Sequence, residues 1–94
     1  MDKVLQKLKR VLKAEFPSAK LEIRRDWYPS KIGGLIIWRG FNGKDDVERQ
    51  ERVWNAIHRA MTAAEQEHLA SFFALNLVEQ KVRLRELELD KILG

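Results

Sequence analysis

The sequence predicts a single α+β domain over residues 1–94: a three-stranded sheet with helices packed mainly on one face, in the order α-β-β-α-β-α. Three observations carry that expectation. Apolar residues recur at helical spacing near the start, in the middle and at the end of the chain. Two short runs after the first helical segment have strand patterning. Ninety-four residues with 45% apolar content suffice for one compact core and no more.

The first helix is expected over Lys3–Phe16. Val4, Leu5, Leu8, Val11, Leu12 and Phe16 form one apolar face, and Lys3, Lys7, Lys9, Arg10 and Lys13 occupy the rest. Pro17-Ser18 ends it, because a residue before proline is pushed out of the α region. In Lys20–Trp27, Leu21 and Ile23 alternate with Glu22 and Arg24, as in a half-buried strand. The segment from Tyr28 to Gly34 supplies turn residues, and Leu35-Ile36-Ile37-Trp38 reads as a central strand. An antiparallel hairpin is the simplest pairing, with a long connection that is mobile at its tip.

Gly40-Phe41-Asn42-Gly43 breaks the second strand, and Asp45 with Glu48 starts the next helix. Its inward face is expected to hold Val47, Gln50, Val53, Trp54, Ile57, Ala60, Met61 and Ala64. Glu65-Gln66-Glu67-His68 either ends that helix or starts a short second one. Leu69–Leu77 is the best place for a third strand, although an apolar run of that length is also compatible with buried helix. Asn76 and Glu79 have capping-box spacing for a last helix over Leu77–Leu93. Val78, Val82, Leu89 and Ile92 are expected to pack it on the sheet.

Composition narrows the function classes. There is no cysteine, which excludes a disulfide scaffold, a thiol nucleophile and Cys-ligated zinc or iron–sulfur centres. The first residues lack the apolar run of a secretory signal, and the longest uncharged apolar stretch is far shorter than a bilayer span. A cytoplasmic location without membrane contact is therefore expected. The net charge of +4 is unevenly spread: residues 1–44 carry +7 and residues 45–94 carry −3. A basic half suits an anionic partner, but it also suits simple solubility.

No catalytic centre is expected, nor any cofactor or metal. His58 and His68 stand ten residues apart without a serine or metal-ligand pattern around them, and ordinary surface positions explain both. Asp45-Asp46 is better explained by the dipole at a helix start than by metal ligation. Gly40-Phe41-Asn42-Gly43 matches the G-x-x-G loop of KH domains, and Lys44 follows it at a helix N-terminus. A turn that needs glycine explains the same residues. The most suggestive segment is Arg24-Arg25-Asp26-Trp27-Tyr28-Pro29-Ser30-Lys31. Basic residues interleaved with aromatics supply charge for phosphates and rings for bases. The competing reading has Trp27 closing the core edge while the arginines protect an edge strand. Arg24, Arg25, Trp27, Tyr28, Lys31 and Lys44 are the candidate nucleic-acid-binding residues. Single-stranded RNA or DNA is the expected partner, and a protein partner is the alternative.

The element order and the stretch Phe41–Trp54 resemble the BolA-like family. Phe41 with Gly43-Lys44 stands where that family has a phenylalanine and glycine-lysine after its second strand. Val47, Arg49, Arg52, Val53 and Trp54 resemble the start of its next helix, with one extra residue, Glu51. Phe73-Ala74-Leu75 matches the later H-A-L strand, with Phe73 in place of the family's metal-associated histidine. The resemblance implies a class II KH-like fold and a regulatory, nucleic-acid-binding or glutaredoxin-partnering role. The missing histidine and cysteine speak against cluster sharing.

Overall fold

The computed structural model describes residues 2–93, with side-chain surroundings for residues 2–85. Helix α1 (Lys3–Glu15) starts at Asp2, whose carboxylate accepts from the Leu5 N–H at 3.1 Å. It ends at Phe16, just before proline. Leu8, Leu12 and Phe16 are fully buried, as the 3.6-residue period requires of one face.

Strands β1 (Lys20–Tyr28) and β2 (Lys31–Ile37) pair antiparallel, with Leu21 opposite Ile36 and Ile23 opposite Gly34. The long connection expected between them is instead a two-residue turn, Pro29-Ser30, with Ser30 at φ 62°. The glycines responsible for that expectation lie inside β2. A Cβ at Gly34 would strike the Glu22 carbonyl, and one at Gly33 would strike the Ser71 carbonyl and the Trp27 ring. Glycine here serves close backbone approach rather than a turn. The pairing is irregular between Arg24 and Tyr28, a bulge that sets the Trp27 ring over Gly33.

A 3₁₀ turn (Arg39–Phe41) leads to α2 (Asp46–Ala60), where the Asp45 carboxylate accepts from the Glu48 N–H at 2.8 Å. The short α3 (Ala63–Gln66) follows, closed by a reciprocal Thr62–Glu65 capping box. Strand β3 (Leu69–Leu75) then pairs parallel with β2, giving the order β1-β2-β3. A parallel neighbour needs a crossover, and α2 with α3 provides it. Strand rather than buried helix is thus the state of the Phe72-Phe73 run.

Helices α1 and α2 cover one sheet face. Ile23, Ile32, Ile36, Phe72 and Ala74 meet Leu8, Leu12, Phe16, Phe41, Val53, Ile57 and Met61 there. Trp38 and Trp54 flank this core, half-buried. The inward face of α2 differs from expectation. Val47, Ala60 and Ala64 are exposed, whereas Arg49 is buried at 5% exposure. Arg49, Val53, Ala56 and Ile57 share one helical phase, and Val47 lies on the far side of it.

Helix α4 (Leu77–Leu93) begins with the anticipated box: Glu79 N–H donates to Asn76 Oδ1 at 2.9 Å, and Asn76 N–H to Glu79 Oε1 at 2.8 Å. Its expected packing through Val78 and Val82 is not found, since they are 69% and 50% exposed. Gln80 and Arg83 face the sheet instead, because the cap fixes the rotation of the first turns. Leu89 and Ile92 lie outside the residues with described side chains.

The Arg49 guanidinium joins three elements. Nη1 donates to the Ala74 carbonyl at 3.0 Å and to Glu79 Oε1 at 2.7 Å, and Nε donates to the Lys44 carbonyl at 2.9 Å. The Asn76 N–H foremost, and Arg49 after it, hold the Glu79 carboxyl below its ordinary pKa of 4.5. A carboxylate with a depressed folded-state pKa adds stability above its unfolded pKa, and that stability is lost as pH falls through the folded value. Melting temperature should therefore begin to fall below about pH 4.5, and Glu79→Gln should flatten that limb. Superimposable acid limbs for the two proteins would contradict the assignment.

Candidate functional site

The second sheet face carries no α1 or α2. Strand alternation places Lys20, Glu22 and Arg24 of β1, Leu35 of β2 and Phe73 of β3 on it. A groove of about 710 Å³ lies there, bounded by Lys20, Glu22, Arg24, Trp27 and Leu35, and by Gln80, Arg83 and Leu84 of α4.

Two cation–aromatic pairs stand side by side in this region. The Arg24 guanidinium lies 5.2 Å from the Trp27 ring centre, and Arg83 lies 4.9 Å from that of Phe73. The rings meet edge to face at 6.1 Å. Trp27 is half-buried and Phe73 is 42% exposed, so ring surface remains open. Among the described residues neither guanidinium has a hydrogen bond or ion pair, and a guanidinium over a ring can still donate its N–H groups to a second contact.

Of the six residues singled out in the sequence, Arg24 and Trp27 meet here. Tyr28, 65% exposed, stands at the hairpin tip beyond the groove. Arg25 pairs with Asp2 at 2.9 Å. Lys31 donates to the Glu67 carbonyl. Lys44 is half-buried beside Glu15, Glu48 and Arg52, in a separate hollow. The helix start behind the Gly40–Gly43 turn is occupied by the Asp45 carboxylate, which disfavours an anion there. Phe73 and Arg83 were missed as site residues. The signal for Phe73 is the Phe72-Phe73 pair itself: in a strand, one ring must face away from the core. Arg83 carries no local signal, because the start of α4 sets its direction.

In comparisons with known proteins, no family model matches the chain, and neither do curated proteins or solved structures.

His58 and His68 are both exposed. Among the described residues, no group of three or more His, Asp or Glu gathers as a metal site. No helix of these residues is long and apolar enough to cross a membrane.

Proposed function

We propose that this chain is a non-enzymatic, BolA-like and KH-like binding module of the cytoplasm that takes single-stranded nucleic acid in the groove between its second sheet face and α4. The observation that carries the reading is that Arg24, Trp27 and Arg83 line one groove, with Arg24 over the Trp27 ring and Arg83 over the ring of Phe73, which meets Trp27 edge to face. Stacked rings accept any base, and the flanking guanidinium groups meet phosphates, whereas Lys20 is paired with Glu22 at 3.5 Å. The BolA-like part of the proposal rests on the sequence resemblance of the stretch Phe41–Trp54.

The test is fluorescence anisotropy with labelled oligouridylate and oligothymidylate over a range of salt. Arg24→Ala and Arg83→Ala should weaken binding of both and lower the salt slope by about one each. Phe73→Ala should lose roughly 1–3 kcal/mol with little change of slope. Arg25→Ala and Lys44→Ala should bind like the parent, because these residues lie elsewhere. Thermal melts accompany each variant. Parent-like binding by correctly folded Arg24, Arg83 and Phe73 variants would remove this face from consideration.

A second reading, a protein-interaction adaptor, is favoured by Leu77, Val78 and Val82, exposed together on the first turns of α4. It predicts no salt-dependent affinity for either oligonucleotide.

A further inference from the structure

The two edges of the sheet differ. On β3 the carbonyls of Phe72 and Ala74 accept from the Gln50 and Arg49 side chains of α2, at 2.8 and 3.0 Å, which obstructs that edge for another strand. On β1, the other edge, no hydrogen bond from outside the sheet reaches the Lys20–Tyr28 backbone among the described residues. An open edge is a row of unpaired donors and acceptors, and charged side chains along it deter indiscriminate pairing. Here the charges alternate in sign. Lys20, Glu22, Arg24 and Asp26 are all exposed, and Arg24 and Asp26 have no ion pair among the described residues. Lys20 and Glu22 approach each other only to 3.5 Å, both well exposed.

That alternation singles out one register for pairing with an identical strand. Two antiparallel copies keep their helical layers on the same side only when residues of the same sheet face oppose one another. With Ile23 opposite Ile23 of the second copy, Glu22 faces its Arg24 and Arg24 faces its Glu22, and Lys20 and Asp26 are opposed at the ends of the register. A slip of two residues one way sets Lys20 against Arg24 and Glu22 against Glu22. The opposite slip sets Arg24 against Arg24 and Glu22 against Asp26. Both put like charges directly across the seam, which is destabilising. Slips of four residues oppose unlike charges again, but half as many. We propose that the β1 edge is a homotypic seam, at which two copies of this chain join antiparallel about a two-fold axis at Ile23. The irregular pairing between Arg24 and Tyr28 bends the strand and keeps the seam from running on to the hairpin tip. The dimer uses both open edges, so no third copy can add.

Sedimentation equilibrium of the full chain, at micromolar to millimolar concentrations, should show a dimer and no larger species. No oligonucleotide is present, which keeps the result independent of the nucleic-acid reading. Glu22→Lys and Arg24→Glu each turn the central pairs into like charges, and each should weaken dimerisation at least about tenfold. Both residues are exposed, so melting should stay near the parent's. An equimolar mixture of the two variants should dimerise again, because each supplies the charges that the other lacks. The double variant exchanges the two charges and should dimerise by itself. Val82→Glu, on the exposed side of α4, should leave the dimer intact. The proposal is overturned if the chain is monomeric throughout, if both single variants dimerise like the parent, or if neither the mixture nor the double variant recovers. A dimer lost in Val82→Glu would move the seam to α4 and overturn it as well.

Discussion

Arg49→Met is expected to destabilise the domain by about 3 kcal/mol, the lower end of what losing one partner of a buried ion pair costs. The substitution keeps an unbranched chain against Phe41, whose ring centre lies 5.7 Å from the guanidinium. What it removes is the hydrogen bonding. The Ala74 carbonyl loses a buried donor, worth about 1–3 kcal/mol by itself, and the Lys44 carbonyl loses another. Glu79 sets the lower bound: its side chain is 42% exposed, so the orphaned carboxylate turns to water rather than staying buried without a partner. Arg49→Lys should fall between the two, because a single ammonium cannot reproduce the fork that spans α2, β3 and the α4 cap. Urea unfolding followed by tryptophan fluorescence measures all three proteins. A methionine variant within about 0.5 kcal/mol of the parent would mean that these bonds merely fill space.

Phe16→Ala should cost about 3–5 kcal/mol. Phe16 is fully buried where α1 hands the chain to β1, with ring centres 5.1 Å from Trp38 and 5.2 Å from Phe41. The Arg52 guanidinium lies 5.4 Å from its ring. Trp38 is also tethered by its indole N–H to the Pro17 carbonyl at 2.8 Å, so the neighbours cannot close readily into the vacated space. Phe16→Leu should cost distinctly less, because most of the volume remains. Equal losses for alanine and leucine would show that the site relaxes freely.

The parts of the fold legible in the sequence are those set by local rules. The α1 stripe, the β1 alternation, the Asp45 cap and the Asn76–Glu79 box each depend on residues within a few positions of one another. What escaped depends on distant neighbours. Gly33-Gly34 has turn chemistry locally, and only the Glu22 and Ser71 carbonyls show why glycine sits within a strand. A charged residue such as Arg49 reads as surface until partners 25 and 30 residues away come beside it. Val78 and Val82 had the right spacing for packing, yet the sheet is met by Gln80 and Arg83. The candidate site divides in the same way. Arg24 and Trp27 were visible as a basic-aromatic cluster, whereas Phe73 and Arg83 reach it from β3 and α4.

The seat of Trp27 on Gly33 has a consequence for how such a sequence can drift. The dependence runs one way. Trp27 needs a glycine beneath its ring, but Gly33 does not need the tryptophan, because the Ser71 carbonyl alone leaves no room for a Cβ. Strand pairing therefore holds position 33 fixed whether or not anything binds. The flat floor under residue 27 is inherited with the fold, so the ring above it can be lost and regained by single substitutions without disturbing the sheet.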